Sequence, residues 1–130
     1  MCLSASLSVV DGGAPPTVLL VDDDNDTVEL LAMVLERAGY RVLHAANGQE
    51  ALLLLTQEIP ALILLDIEMP VMTGQQFREQ QRRDSELVRI PTIVMTGSRE
   101  EPVLDVAVRA VLHKPFTVAK LFATINAVSA

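Results

Sequence analysis

This chain of 130 residues contains five short apolar runs, mostly of Val, Ile, Leu and Ala, and four of them are followed by a residue with a reactive polar or charged side chain. VLLV precedes Asp22, LILL precedes Asp66, IVM precedes Thr96 and AVLH precedes Lys114. Short runs of this kind, bounded by polar residues, are typical of strands buried in a parallel sheet. Parallel strands need crossover connections, usually helices, on the faces of the sheet. The pattern therefore predicts an α/β fold with a doubly wound parallel sheet.

Strand and helix patterns alternate five times from Thr17 onward. The strands are predicted at 17–21, 41–45, 61–65, 90–95 and 110–113. The helices are predicted from about 26, after Asn47 as a cap, over 74–84, near 100–108 and directly after Pro115. Gly39 is expected to end the first helix in the C′ position. Residues 1–16, which are small and polar and end in Gly-Gly-Ala-Pro-Pro, are expected to be a flexible tail before a single domain at 17–130.

Charge and cysteine content narrow the possible function classes. The formal net charge of −7 argues against a nucleic-acid surface, since phosphate contacts need clustered Lys and Arg. The basic stretch at 78–83 is mixed with Gln and Glu and is interpreted as a solvated helix face. Cys2 is the only cysteine, and no signal peptide or membrane-length apolar stretch is present in the sequence. A soluble cytoplasmic protein is the expectation.

The polar residues after the strands should converge, because ligands of open α/β sheets bind at the carboxyl ends of the strands. Asp22 and Asp23, with Asp24 as a lesser candidate, offer the hard oxygen ligands that Mg²⁺ prefers. The alternative is that these acids only cap the first helix. One acid would be enough for that role, and adjacent like charges cost on the order of 1 kcal/mol at about 4 Å in water. The run therefore favours a metal site.

Asp66, Thr96 and Lys114 supply complementary chemistry. A carboxylate such as Asp66 can act as a nucleophile and form an acyl phosphate, although a lone Asp at a strand end is more often a turn residue. Thr96, followed by the small Gly97, could donate its hydroxyl to a phosphoryl oxygen. Lys114 would pair with carboxylates before reaction and with phosphoryl oxygens afterwards, unless it is a surface lysine. Each residue is modest evidence alone, but their order on four of five strands indicates phosphoryl acceptance.

The segments VLLVDDD, LILLDIEMP followed by TG, IVMTG and HKPF resemble the receiver domains of response regulators in two-component signalling. The resemblance extends over about residues 17–128. It implies a flavodoxin-like (βα)5 sheet of order 2-1-3-4-5. It also implies phosphorylation at Asp66, and Mg²⁺ on Asp22, Asp23, Asp66 and the backbone carbonyl of Glu68.

The resemblance further implies a signalling role without ordinary enzymatic turnover. Such a domain catalyses only its own phosphorylation and dephosphorylation. Its donor would be a histidine kinase or a histidine phosphotransfer protein, and its output a contact with a downstream protein. A relay intermediate, a phosphate sink and a regulator of a motor or enzyme all remain open.

Several positions depart from the family pattern. Val111 stands where an aromatic residue usually rotates with the switch residue Thr96, so the usual switch cannot operate. The segment between Thr96 and Lys114 is about one helical turn short, which predicts a short or irregular fourth helix. Glu68 adds an acid beside the site that is expected to alter the lifetime of the phosphoryl group. Two glutamines also stand where the third helix would ordinarily present apolar residues to the sheet, Gln80 and Gln81.

Two other classes of protein are possible. A phosphatase resembling the haloacid-dehalogenase group would need an Asp-x-Asp motif followed by x-Thr or x-Val, but here Asp26 stands at the last position. A pseudo-receiver would keep the fold without the chemistry. Val111 and the shortened fourth helix permit this alternative, whereas the intact Asp66, Thr96 and Lys114 disfavour it. His44 and His113 lie on separate strands without cysteine partners and predict no zinc site.

Overall fold

The computed structural model describes residues 15–68, 74–98 and 107–129. Over these ranges the chain forms five strands, four α-helices and one 3₁₀ turn. The strands are β1 (Thr17–Val21), β2 (Arg41–Ala45), β3 (Leu62–Asp66), β4 (Thr92–Thr96) and β5 (Val108–His113). The helices are α1 (Asn25–Arg37), α2 (Gly48–Leu55), α3 (Gly74–Arg83) and α4 (Val118–Ser129), and the 3₁₀ turn is Leu87–Arg89.

All strand pairs are parallel, and the order across the sheet is β2-β1-β3-β4-β5. The predicted doubly wound, flavodoxin-like fold is therefore confirmed. Alternate residues of β1 point to opposite faces, as the period of a strand requires. Leu20 packs into a core with Leu31 of α1 and Ile125 of α4, whereas Leu19 packs with Ala51 of α2 and Phe77 of α3. Both faces of the sheet are covered by helices, which explains why the strands read as continuous apolar runs.

The local signals at two helix ends are confirmed. Gly39 has a φ of 100°, a left-handed conformation that a residue without Cβ adopts at little cost. Its N–H donates to the Glu36 carbonyl at 3.0 Å. Asn47 caps α2 by accepting the Glu50 N–H at 2.9 Å.

The last helix begins later than predicted, at Val118 instead of directly after Pro115. The Lys120 N–H donates to Thr117 Oγ1 at 3.0 Å, so a threonine caps the helix start. Pro115 therefore lies ahead of the helix and not in its first turn.

The bounds of three strands differ from the predicted ones. β3 lies one residue later than predicted, at Leu62–Asp66, and β4 begins two residues later and ends one residue later, at Thr92–Thr96. β5 begins at Val108, a residue that was predicted to end the fourth helix. The pairing shifts between Thr92 and Ile93, which leaves Arg109 as an extra, exposed residue in β5. The remainder of the predicted fourth helix, from 100 to 106, lies outside the described residues, as does the predicted tail up to residue 14.

Gln81 of α3 is completely buried, as its position in the sequence suggested, whereas Gln80 is exposed and does not face the sheet. The Gln81 side-chain amide donates to the Leu87 carbonyl and to Thr92 Oγ1, both at 3.0 Å. Its carbonyl oxygen accepts from the buried Arg78 guanidinium. A polar side chain is stable here because each of its groups has a hydrogen-bond partner.

We expect Gln81→Ala to lower the free energy of unfolding by about 2 kcal/mol, because it removes three buried hydrogen bonds and leaves a cavity. Gln80→Ala is the matched control on the exposed face, where a change within about 0.5 kcal/mol is expected. Urea denaturation of the two variants measures both values. Equal stabilities would show that the buried network contributes nothing.

Within the described part of the chain, no helix combines the length and apolar character needed to traverse a bilayer.

Candidate functional site

Four adjacent strands deliver the predicted site residues to one edge of the sheet. Asp22 follows β1, Asp66 ends β3, Thr96 ends β4 and Lys114 follows β5. These four strands lie side by side in the sheet, in the order β1-β3-β4-β5. The sequence prediction that they converge is therefore confirmed, although they are up to 92 residues apart in the chain.

Lys114 joins the two buried carboxylates at the centre of this edge. Its Nζ lies 3.1 Å from Asp22 Oδ2 and 3.4 Å from Asp66 Oδ2. The Asp22 side chain is completely buried and that of Asp66 is 5% exposed, whereas 29% of the Lys114 side chain is exposed. Buried carboxylates are costly without a counter-charge, so the lysine is part of what makes this arrangement stable.

Backbone N–H groups orient the other oxygens of the two buried acids. The Asp24 N–H donates to Asp22 Oδ1 and the Glu68 N–H donates to Asp66 Oδ1, both at 3.0 Å. The Oδ2 atoms are the ones that face Lys114. Each carboxylate is thus held in one orientation, with its second oxygen directed to the reactive edge.

The acids form a cluster whose chemistry fits a divalent cation. Asp22, Asp23 and Asp66 each offer a carboxylate oxygen, and these atoms lie within 4.8 Å of one another. Asp23 is exposed, so the cluster opens to solvent on one side. Hard oxygen donors with access to water suit Mg²⁺, which keeps several waters when it binds protein. Asp24, the lesser candidate, instead accepts the Thr27 hydroxyl, and this hydrogen bond lowers the pKa of Asp24.

Burial and charge shift the ionisation of the central residues. Burial raises the pKa of Asp66 to about 6, the nearby Asp22 charge adds to this, and the Glu68 N–H and Lys114 oppose it. For Lys114, burial by itself would lower the pKa, but the hydrogen bond and charge of Asp22 outweigh it and raise the pKa. At neutral pH the lysine is therefore charged and Asp66 is mostly ionised.

Glu68 makes contacts that the sequence did not predict. Thr96 Oγ1 donates to Glu68 Oε2 at 3.2 Å, and the Gly97 N–H donates to Glu68 Oε1 at 3.0 Å. Thr96 is buried, and its hydroxyl oxygen accepts the Ser98 N–H at 3.0 Å. A methyl group at Gly97 would lie 3.7 Å from Glu68 Oε1, an ordinary contact, so the small residue is not required by crowding in this arrangement.

The two histidines and Val111 lie around the edge of the site. His44 Nε2 lies 3.1 Å from the Asp22 carbonyl oxygen, a contact that sequence spacing could not reveal. His113 Nδ1 lies 3.3 Å from the Ser98 carbonyl oxygen, and its side chain is exposed. Val111 is half-buried in β5 and is paired with Val94 of β4.

A buried acid pair, an exposed third acid and a bridging lysine lie together at the carboxyl edge of this sheet, a combination typical of signalling domains that receive a phosphoryl group. A model of the response regulator receiver domain matches residues 18–126, and the chain belongs to that family. Receiver domains are signalling domains that are phosphorylated on an aspartate and bind Mg²⁺ at an acidic pocket.

The relatives that this chain resembles differ in total length. The chain is 37% identical over 117 residues to protein PilH of Pseudomonas aeruginosa, which covers 87% of this chain and 97% of PilH. It is also 37% identical over 116 residues to the phosphate regulon transcriptional regulatory protein PhoB of the same organism, covering 86% of this chain. The matched region is only 51% of PhoB, so the chain spans about half of that protein. The chemotaxis response regulator CheY4 of Vibrio cholerae superposes with a TM-score of 0.80 at 31% identity, covering 88% of this chain and 99% of CheY4.

Proposed function

We propose that this receiver accepts a phosphoryl group on Asp66 and signals through contacts with another protein. The observation that carries the proposal is the position of Lys114, whose ammonium bridges Asp22 and Asp66 at 3.1 and 3.4 Å. The ammonium offsets part of the negative charge of the pair in the resting protein and remains within reach of oxygens added to Asp66. No comparable arrangement is needed merely to stabilise a strand end.

In the proposed reaction, Asp66 Oδ2 attacks the phosphorus of a phosphohistidine or of a small acyl phosphate. A new O–P bond forms as the bond from phosphorus to the leaving nitrogen or oxygen breaks. The leaving group takes the bonding electron pair: a carboxylate departs as the anion, whereas the nitrogen of an imidazole takes a proton from solvent. Lys114 pairs with the phosphoryl oxygens, and the Thr96 hydroxyl donates to one of them, so negative charge that builds up in the transition state is stabilised.

Asp22, Asp23 and Asp66, with the backbone carbonyl of Glu68, are the groups that we propose to hold Mg²⁺. When bound, the cation supplies positive charge that offsets the carboxylates and the incoming phosphoryl group. The compact cluster of three carboxylates supports this assignment. Burial raises the pKa of Asp66 to about 6 and the neighbouring Asp22 charge adds to this, so a cation at the cluster would favour the ionised carboxylate.

The donor that we propose is a histidine kinase or a histidine phosphotransfer protein, and the output is a downstream protein. Coverage of 97% of PilH supports a role based on the receiver itself, since that relative is almost entirely matched by this chain. We propose that the output switch is atypical, because Val111 has no ring to rotate when Thr96 changes partner.

Intact-mass measurement after incubation with Mg²⁺ and acetyl phosphate tests the proposal. One phosphoryl adduct is expected for the wild-type chain, dependent on Mg²⁺ and absent in Asp66→Asn. The Asp84→Asn variant, which changes an exposed acid after α3, is the matched control and should form the adduct normally. If the wild-type chain forms no adduct under any condition, the proposal is wrong, and the chain has the receiver fold without the phosphoryl chemistry.

A further inference from the structure

The Glu68 carboxylate spans two hydrogen-bond donors at the carboxyl end of β4. One oxygen accepts from Thr96 Oγ1 at 3.2 Å and the other from the Gly97 N–H at 3.0 Å. These donors come from neighbouring residues, and both point to the same anionic group. Two donors directed at one pair of oxygens form an anion site, and here the anion belongs to the protein.

A phosphoryl group on Asp66 would need the same donors. It carries three acceptor oxygens, and the Lys114 ammonium, 3.4 Å from Asp66 Oδ2, would supply one of the groups that they need. In the proposed reaction the Thr96 hydroxyl, which is uncharged, donates a hydrogen bond to one of these phosphoryl oxygens. Glu68 is two residues from Asp66, and its own N–H donates to Asp66 Oδ1 at 3.0 Å. The Glu68 side chain and the phosphoryl group therefore compete for one place.

We infer that Glu68 is an internal competitor of the phosphoryl group, which occupies the donors of Thr96 and Gly97 until phosphorylation displaces it. This inference rests on the proposed function of Asp66. Glu68 is exposed, so its carboxylate can move into water without a large desolvation change. The three acids of the site repel a fourth carboxylate, which favours its departure once a phosphoryl group can replace it at the donors.

The competition changes which group moves on phosphorylation. Thr96 donates to a carboxylate oxygen before phosphorylation and to a phosphoryl oxygen afterwards, so its hydroxyl stays engaged in both states. The side chain that changes place is Glu68, which leaves the edge of β4 for solvent. This exchange requires no rotating aromatic ring, in agreement with the Val111 side chain in β5.

Glu68→Ala and Glu68→Asp together separate competition from simple charge repulsion. Alanine removes both the charge and the hydrogen bonds, whereas aspartate keeps the charge but is one methylene too short to bridge both donors. We expect both variants to bind beryllofluoride with Mg²⁺ about tenfold more tightly than the wild-type chain, as measured by titration calorimetry. Glu36→Gln, an exposed acid near the far end of α1, is the control and should bind like wild type.

The Gly97 amide signal in NMR spectra gives a second readout. In both Glu68 variants without beryllofluoride it should shift upfield, because the carboxylate acceptor is lost, and it should return downfield when beryllofluoride binds. Tighter binding only in Glu68→Ala, or equal affinities in all chains, would overturn the inference while leaving phosphorylation of Asp66 intact. Failure of every chain to bind beryllofluoride or to accept a phosphoryl group would overturn the proposed function as well.

Discussion

Lys114→Met is expected to lower the rate of phosphoryl uptake by Asp66 about 100-fold or more. Loss of one preorganised charge or donor in the transition state typically costs two to three orders of magnitude, about 3 to 4 kcal/mol. The substitution also changes the protein before the reaction, because Lys114 contacts both Asp22 and Asp66 in the resting state. Without the ammonium, Asp66 should retain its proton to a higher pH and become a poorer nucleophile. Timed intact-mass measurements with acetyl phosphate and Mg²⁺ report the rate.

Lys120→Met is the matched control for this experiment. Lys120 is exposed on α4, so its replacement removes one positive charge without touching the site. Lys114→Arg keeps the charge in a bulkier planar group, so its rate of phosphoryl uptake should lie between the rates of Lys114→Met and Lys120→Met. A wild-type rate in folded Lys114→Met would mean that the ammonium has only a structural role. Thermal melting of each variant establishes that it is folded.

The strands were predictable because a parallel sheet buried on both faces imposes continuous apolar runs. Their order across the sheet was implied by the resemblance to receiver domains and not by the runs themselves. β1 and β2 have the predicted bounds, and the convergence of Asp22, Asp66, Thr96 and Lys114 follows from the topology alone. Strand ends next to polar residues were less well defined. Asp66 belongs to β3 because its backbone pairs with Met95 of β4, and Lys114 and the Glu68 N–H stabilise its charged side chain there.

Contacts between side chains that are distant in sequence could not be predicted in the same way. The extra residue Arg109 in β5 depends on pairing with β4, and a period-two pattern carries no sign of it. Burial of Gln81 was suggested by its position, but its partners Leu87 and Thr92 lie on other elements. The Glu68 contact with Thr96 joins residues 28 positions apart, and only the three-dimensional structure reveals it.

Addition of Mg²⁺ is expected to raise the melting temperature of the wild-type chain by about 4–8 °C. At 10 mM Mg²⁺ and a Kd on the order of 1 mM, binding to the folded state alone contributes about 1.4 kcal/mol. The effect should be measured at pH 7.5–8, above the pKa of about 6 for Asp66, so that Asp66 is ionised and adds its full charge to the cluster. Differential scanning fluorimetry with and without Mg²⁺ gives the shift.

Asp23→Asn tests whether the stabilisation comes from the proposed ligands and not from general salt effects. Asp23 is exposed and contributes one of the three clustered oxygens, so its replacement should remove most of the shift while leaving the fold intact. Asp26→Asn makes the same chemical change at an exposed position in the first turn of α1 and should keep the full shift. Equal shifts in both variants would place the bound cation elsewhere. Potassium chloride at matched ionic strength should give little stabilisation, because screening alone does not provide the oxygen ligation that a divalent ion gains at this site.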